Sequence, residues 1–277
     1  TKIYGIYNKQ PDKNIEKFKH KIKTHKCNLC DFDKTKKIVN LIKPDLIFHL
    51  ASNADVRLSF DKPYEIIKNN NDSTLNLLET IRLSKSNPLI IMCSTSEVYG
   101  QVKKKDLPIS EKNYINPTNP YAVSKTFQDL LAQNYSKNFG LNVIITRMFT
   151  YLNPKRTNLF ASHWASQVAQ IEKKRIKYLK HGNLQSTRTI VDIEDAMEAY
   201  WLTAKKGKIG EIYNIGGTKT IKLDHFLKLL CKLSSSKIKT KLDSKLLRKN
   251  DIVLQIPNSK KFIKDTGWKP KNNFEES

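Results

Sequence analysis

At 277 residues, of which 39% are hydrophobic, the chain is long enough to bury a large core. Its net charge of +24 comes from lysines spread along the whole sequence rather than from one basic patch interleaved with stacking aromatics, so nucleic acid is not a favoured partner. The sequence has no signal peptide, no membrane-spanning apolar run and too few cysteines for a disulfide framework, so we expect a cytoplasmic protein without a membrane partner.

The first half of the chain alternates short apolar runs with amphipathic stretches, which is typical of βαβ units. The apolar runs predict strands at residues 2–7, 45–52, 89–94 and 141–149. Helical periodicity predicts helices between them, at residues 34–42, 64–83 and 121–139. Gly140 follows the last helix in the position of a C-cap. We therefore predict an α/β fold with a doubly wound, Rossmann-like parallel sheet.

From about residue 153 the pattern changes to separate helices and short strands. The predicted helices are 162–173, 192–204 and 223–233, and the predicted strands are 176–179 and 211–215. This part is predicted to form a smaller, mixed α/β lobe.

Cys27 and Cys30 form a C-x-x-C pair. Zinc needs four ligands, and neither a second pair nor a His-x-x-x-His accompanies them. No metal site is predicted.

A Tyr four residues before a Lys on a helix places both side chains on one face, where the cation favours the tyrosinate needed for proton exchange. Four pairs have this spacing: Tyr64/Lys68, Tyr99/Lys103, Tyr121/Lys125 and Tyr151/Lys155. Only Tyr121 opens a long amphipathic helix behind a turn-forming Asn119-Pro120. The buried stripe of that helix is predicted to be Val123, Phe127, Leu130 and Leu131.

Upstream, the apolar strand LIIMC runs directly into the segment STSEVYG. Open α/β sheets bind ligands at the carboxyl ends of their strands, so the Thr95 hydroxyl is a candidate hydrogen-bond donor to a substrate oxygen. Glu97 is a candidate base. The alternative is that Thr95 and Ser96 only satisfy backbone groups of the turn.

Three ordered motifs, TSEVYG, NPYAVSK and ITRMF, resemble the extended short-chain dehydrogenase/reductases that epimerise, dehydrate or reduce nucleotide sugars. The resemblance extends from the first predicted strand to GWKP at residues 267–270. It is closest to the GDP-mannose 4,6-dehydratases and the GDP-4-keto-6-deoxymannose reductases. The resemblance assigns residues 1–152 to NAD(P) binding and residues 153–277 mainly to substrate binding.

The resemblance implies a role for each candidate catalytic residue. Tyr121 would be the acid/base, Lys125 would hold the cofactor ribose and tune Tyr121, and Thr95 would polarise the sugar oxygen at C4. Glu97 would remove the C5 proton in a dehydratase, which oxidises C4, expels water across C5 and C6, and returns hydride to C6. We expect a GDP-mannose 4,6-dehydratase, with the 4-keto reductase and a C4 epimerase as alternatives. A non-enzymatic Rossmann-type protein that binds nucleotide or RNA is the alternative from another class.

The family's glycine fingerprint, G-x-x-G-x-x-G, is absent. The chain opens on KIYGIY, which resembles the family's second strand, so we expect the sequence to be truncated and to lack the first strand and the glycine loop. Asn8 and Lys9 stand where a ribose-binding carboxylate is usual, and Lys9 would attract a 2′-phosphate, so NADP is expected with NAD as the alternative. By resemblance, Asp31 would recognise adenine. The residues expected to line the ribose are Leu50, Ala51 and Ser52.

The nucleotide sugar is expected to be GDP-linked. The positions that match substrate-binding residues of the family are Thr150, Lys155, Arg156, Asn183 and Arg188. For the charged residues among them, the alternative is a solvated surface side chain. The resemblance also implies a homodimer or homotetramer formed through two long helices, one of them at residues 121–139.

Overall fold

A computed structural model describes residues 1–9, 18, 20–156, 158–247, 250–272 and 277. The chain folds into two compact units that alternate along the sequence. Unit 1 consists of Thr1–Ser94, Asn119–Ile145 and Lys208–Glu211, and unit 2 of Thr95–Thr118, Thr146–Gly207 and Ile212–Ser277. The predicted functional ranges 1–152 and 153–277 follow a different division and stay predictions.

Unit 1 combines strands and helices in the predicted alternation. Its helices are α1 (Phe32–Ile42), α2 (Leu58–Asp61), α3 (Pro63–Ser84) and α4 (Pro120–Phe139). Its strands are β1 (Ile3–Tyr7), β2 (Ile22–Lys26), β3 (Leu46–His49), β4 (Leu89–Thr95) and the start of β5 (Val143–Met148). The last residue of β4, Thr95, already belongs to unit 2. Every strand and long helix predicted for this half is present, with ends that differ by up to three residues. The sequence IKTHK of β2 carries no apolar run, which is why that strand was not predicted.

The strands of unit 1 form two groups. Strands β1 and β2 pair in parallel, with Ile3 opposite Ile22. Strands β3 and β4 also pair in parallel, with Leu46 opposite Leu89, and β5 adjoins β4. Within the described ranges the two groups are separate sheets. Ile3 and Ile6 of β1 are 50% and 40% exposed, although parallel strands are usually covered on both faces.

Helix α4 has the ends that its sequence predicts. The Asn119 side chain accepts a hydrogen bond from the Ala122 backbone N–H at 2.8 Å, and Pro120 occupies the first turn. Gly140 closes the helix with φ of 68°, a left-handed conformation that costs glycine little. The cap fixes where Tyr121 stands in the first turn.

The predicted apolar stripe of α4 is wrong, because the buried face of the helix combines polar side chains with tyrosines and alanines. Val123, Phe127 and Leu130 are 44%, 37% and 50% exposed, and Leu131 is only half-buried. The polar side chains that are buried instead are Ser124, Lys125, Gln128 and Asp129. Hydrogen bonds inside unit 1 satisfy Ser124, Lys125, Asp129 and the Nε2 of Gln128, whereas Gln128 Oε1 has no hydrogen-bond partner among the described residues.

Unit 2 is a mixed α/β unit. Its helices are α5 (Phe160–Glu172), α6 (Ile193–Lys206), α7 (Leu223–Lys232) and α8 (Lys260–Thr266). Its strands are the end of β5, β6 (Leu179–His181), β7 (Thr187–Thr189), β8 (Ile212–Ile215), β9 (Thr220–Lys222), β10 (Thr240–Leu242) and β11 (Leu254–Gln255). Strands β11 and β7 are parallel, β7 and β9 are antiparallel, and β10 pairs in parallel with β6. Phe160 packs edge to face against Trp164 and against Phe226 in one core of this unit.

Strand β6 begins at Leu179, so the predicted strand at residues 176–179 is misplaced. The Leu179 backbone N–H bonds the carbonyl of Lys239, just before β10. Pairing with a distant partner therefore sets where this strand begins. The other strands that were not predicted here are two or three residues long and have no apolar run.

Candidate active site

The segment after β4 forms a tight turn that begins at Thr95. The Thr95 hydroxyl oxygen accepts the Glu97 backbone N–H at 3.3 Å. This contact agrees with the alternative that Thr95 satisfies a backbone group of the turn. A 3₁₀ turn, Ser96–Tyr99, follows and ends at Gly100, whose φ is 57°. A Cβ at Gly100 would lie 1.9 Å from the Asn116 carbonyl oxygen, so only glycine fits. Thr95 and Glu97 thus lie on a rigid turn, and both side chains are half-buried.

Two of the sequence motifs meet inside unit 2. The Arg147 guanidinium of ITRMF donates to the Tyr99 hydroxyl of TSEVYG at 2.9 Å and lies 5.1 Å from the ring centroid. The Tyr99 hydroxyl donates in turn to Asn214 Oδ1 at 2.7 Å. Burial raises the pKa of Tyr99, so this tyrosine is a fixed hydrogen-bonding group of the turn. The Arg within a mostly apolar strand could have indicated a buried polar partner, but the sequence did not identify Tyr99 as that partner.

Gln255, which the sequence did not indicate as a site residue, holds the Glu97 carboxylate. Glu97 Oε1 accepts a hydrogen bond from Gln255 Nε2 at 3.0 Å. Gln255 lies in β11 and is 4% exposed. No motif surrounds Gln255, so only the fold could identify it.

Tyr121 and Lys125 lie on the buried face of α4 in unit 1. Tyr121 is 8% exposed and Lys125 is 4% exposed. The Lys125 ammonium donates to the backbone carbonyl of Cys93, at the end of β4. Burial lowers the pKa of Lys125 to about 8, although the neighbouring Cys93 and Asp129 partly oppose this shift. The ammonium is therefore close to its titration point near neutral pH.

The other Tyr/Lys pairs have different environments. Tyr64 is 75% exposed, and Lys68 forms an ion pair with Asp72 at 2.5 Å. Tyr99 belongs to the 3₁₀ turn, and Tyr151 lies in a β-bridge with Val191. Among the four, only Tyr121/Lys125 places both side chains on the buried face of a helix.

A buried polar network supports α4 from α3 and β3. Thr74 Oγ1 donates to the Asn70 carbonyl at 3.0 Å, so it accepts from His49 Nε2 at 2.8 Å and from Gln128 Nε2. His49 is therefore the neutral tautomer protonated at Nε2, and burial lowers its pKa to about 3. Asn70 also donates to Ser124 Oγ at 2.9 Å. The network fixes α4, and no motif in the sequence indicated it.

The residues expected to bind the cofactor differ in exposure and in their contacts within the protein. Asn8 and Lys9 are exposed just after β1. Asp31 caps α1 by accepting the Lys34 N–H at 3.1 Å, and the Lys34 side chain together with this backbone bond lowers the Asp31 pKa. Asp31 therefore has a structural role whether or not it meets a ligand.

After β3, Leu50 and Ala51 are exposed, whereas the Ser52 hydroxyl is buried without a hydrogen-bond partner among the described residues. An unsatisfied buried hydroxyl beside exposed apolar groups fits a ligand that carries hydroxyl groups. Contacts of these residues with a dinucleotide stay a prediction.

The residues expected to bind substrate lie in unit 2. The buried Arg188 donates to the carbonyls of Ile252 at 2.6 Å and Val253 at 3.2 Å, which is a structural use of its guanidinium. Asn183 Nδ2 donates to Asp251 Oδ2 at 3.0 Å. Both contacts are with the chain segment around β11, and phosphate binding by Arg188 stays a prediction.

The remaining substrate candidates lie after β5. The Thr150 carbonyl accepts the Val191 N–H at 3.1 Å. Lys155 is exposed and Arg156 is half-buried, next to a turn in which Asn153 Oδ1 accepts the Lys155 N–H at 3.0 Å. Their proposed contacts to a nucleotide also stay predictions.

Across the described ranges, no group of three or more His, Cys, Asp or Glu side chains is arranged to hold a metal ion. In the same ranges, no helix has the length and apolar character needed to cross a bilayer.

Comparison with solved structures confirms the predicted Rossmann-like α/β fold. The structure of RMD from Pseudomonas aeruginosa complexed with NADPH matches with a TM-score of 0.87 and 24% identity, over 100% of this chain and 96% of that chain. UDP-glucose 4-epimerase from Thermotoga maritima with UDP-glucose matches with a TM-score of 0.86 and 22% identity, over 99% and 87% of the two chains. The fold is that of the NAD-dependent epimerases and dehydratases.

The family model described as GDP-mannose 4,6 dehydratase matches residues 2–277. The chain belongs to this family of nucleotide-sugar dehydratases and reductases, which are NAD(P)-dependent enzymes. GDP-6-deoxy-D-mannose reductase of Pseudomonas aeruginosa is 27% identical over 236 residues, which are 84% of this chain and 78% of that protein. GDP-mannose 4,6 dehydratase of Drosophila melanogaster is 24% identical over an alignment of 307 positions, gaps included, which covers 99% of this chain and 77% of that protein.

Proposed function

We propose that the protein is a GDP-mannose 4,6-dehydratase. The observation that carries this proposal is the Glu97 carboxylate on the rigid turn after β4. Dehydration needs a base that removes the C5 proton, whereas reduction of a keto sugar does not. The family and its relatives named for GDP-sugars support the nucleotide.

Each candidate catalytic residue has one step in this reaction. Tyr121 takes the proton of the C4 hydroxyl as C4 is oxidised, and Lys125 supplies the positive charge that favours the tyrosinate. Thr95 polarises the oxygen at C4. Glu97 then removes the C5 proton, and the C6 hydroxyl leaves as water.

NADP is the cofactor that we propose, with NAD as the alternative. When bound, a nicotinamide accepts the hydride from C4 and returns it to C6. The unsatisfied Ser52 hydroxyl supports a ribose contact, and the exposed Lys9 supports a 2′-phosphate. A related structure carries NADPH and another carries NAD.

Product analysis tests the proposed reaction. Incubation of the protein with GDP-mannose and NADP should give a GDP-4-keto-6-deoxy sugar, detected by mass spectrometry as the loss of one water. The dehydratase proposal fails if GDP-mannose is unchanged while the 4-keto-6-deoxy sugar is reduced at the expense of NADPH.

That second outcome would establish the 4-keto reductase, which is the other candidate. It is favoured by the match to the Pseudomonas aeruginosa reductase, which is 27% identical to this chain. The segment LFASHWASQVAQIE, which is Leu159 followed by the whole of α5, also resembles the reductases.

We also propose a homodimer formed through α3 and α4. The apolar residues on α4 that would meet the second copy are Val123, Phe127 and Leu130, and those on α3 are Leu75 and Leu83, all more than a third exposed. Exposed apolar rows at helical spacing support helix pairing because burying them removes apolar surface from water.

Sedimentation velocity tests this interface. The protein should sediment as a dimer, and Leu130→Lys should shift it to monomer. Leu233→Lys is the control, because Leu233 is 78% exposed after α7 and should leave the dimer intact. A monomeric unmodified protein would contradict the proposal.

A further inference from the structure

Two glutamines hold the turn that carries Glu97 against the segment around β11. At the Glu97 side chain, Gln255 Nε2 donates to Oε1 at 3.0 Å. Beyond the turn, Gln101 Nε2 donates to the Asp251 carbonyl, and Gln101 Oε1 accepts the Val253 N–H at 3.3 Å. Gln101 therefore anchors the end of the turn to the backbone of residues 251 and 253, and Gln255 anchors the Glu97 carboxylate.

Gln255 is itself held firmly. It stands opposite Arg188 in the parallel pairing of β11 with β7. The Thr187 backbone N–H donates to the Val253 carbonyl at 2.7 Å, and the Arg188 guanidinium donates to the Ile252 and Val253 carbonyls. With its backbone fixed and its side chain 4% exposed, Gln255 has little freedom to move its amide.

An amide donor suits the task of orienting a base. A carboxamide carries no charge and does not titrate in the working pH range, so it cannot exchange a proton with the carboxylate that it holds. It donates in a defined direction to one carboxylate oxygen. A fixed orientation matters because small misplacements of a reacting group reduce rates strongly.

We propose that Gln255 is a positioning residue for proton removal at C5. This inference rests on the proposed dehydratase function. The C5–H bond breaks, its proton goes to Glu97, and its electron pair forms the C5=C6 double bond while the C6–O bond breaks. The departing hydroxide takes the proton from Glu97 and leaves as water. Oxidation at C4 precedes this step and does not involve Glu97.

Gln255→Met tests the inference because it keeps the length of the side chain and removes the amide. The Gln101 contacts still anchor the turn. We expect formation of the 4-keto-6-deoxy product to fall about tenfold to a hundredfold, with oxidation at C4 little changed. The oxidised 4-keto sugar that retains its C6 hydroxyl should then accumulate together with reduced nicotinamide. A deuterium at C5 should slow the variant more than the unmodified protein.

Gln167→Met is the matched control. Gln167 is also a buried glutamine of unit 2, and it bonds the Lys180 backbone N–H and carbonyl. We expect this variant to oxidise C4 and to eliminate water in the same ratio as the unmodified protein. A loss of structure caused by removing any buried amide would instead appear in both variants.

Glu97→Gln separates failure of the inference from failure of the proposed function. If Glu97→Gln leaves product formation unchanged, the proposed dehydratase mechanism fails. If Glu97→Gln blocks elimination but Gln255→Met behaves as the unmodified protein, only the positioning role is overturned. Equal slowing of oxidation and elimination in Gln255→Met would also overturn it.

Discussion

Tyr121→Phe should reduce turnover by about three orders of magnitude, because it removes the proton-exchanging hydroxyl and keeps the ring. The ring is 8% exposed in α4, so phenylalanine retains its packing. Steady-state rates with GDP-mannose measure the loss. Calorimetric binding of GDP-mannose should change little, because the hydroxyl is needed for the chemical step.

Tyr64→Phe is the control for that experiment. Tyr64 and Lys68 have the same spacing on a helix, but Tyr64 is 75% exposed and Lys68 pairs with Asp72. We expect turnover of this variant to match the unmodified protein. If Tyr121→Phe also retained full turnover, the acid/base role of Tyr121 would be wrong.

The ends of α4 could be predicted from local sequence, whereas its buried face could not. Asn119, Pro120 and Gly140 act through hydrogen bonds and dihedral angles within a few residues, so their effect is readable from the chain. The orientation of the helix depends on distant groups. Cys93, Asn70 and other partners make it favourable to bury polar side chains and to leave Phe127 exposed.

The candidate site shows the same division between local and distant information. The motifs TSEVYG and ITRMF were visible in the sequence, but the hydrogen bond between Tyr99 and Arg147 that joins them was not. Gln255 was not predicted because it lies in a two-residue strand whose pairing depends on β7. Arg188 was predicted to bind phosphate, but its guanidinium donates to backbone carbonyls next to β11, the strand with which β7 pairs.

Lys125→Met should abolish turnover and, at pH 7, make the fold more stable. The native pKa of Lys125 is about 8, below the ordinary value of 10.5, so burial of its ammonium opposes folding. The unfolded chain binds this proton more strongly, and the stability of the native protein therefore rises as the pH increases from about 8 to 10.5. Below pH 8 the penalty is fully present and is on the order of 3 kcal/mol.

Methionine removes the charge and keeps most of the side-chain length, but it leaves the Cys93 carbonyl without its ammonium donor, which costs roughly 1 kcal/mol. We therefore expect a net gain on the order of 1 to 2 kcal/mol in the free energy of unfolding at pH 7. Urea unfolding without ligands measures it. The gain should shrink or disappear at pH 10, where the native lysine is already largely neutral.

Lys68→Met is the control, because Lys68 is an exposed lysine in an ion pair on α3 and its replacement should change stability by less than about 0.5 kcal/mol at either pH. If Lys125→Met lost stability equally at pH 7 and pH 10, the buried ammonium would not be the unfavourable group. If the gain follows pH as expected, the fold tolerates an unfavourable charge at Lys125. That cost is understandable only if the charge acts on Tyr121 or on a ligand, because the same helix would be more stable with an apolar side chain in this position.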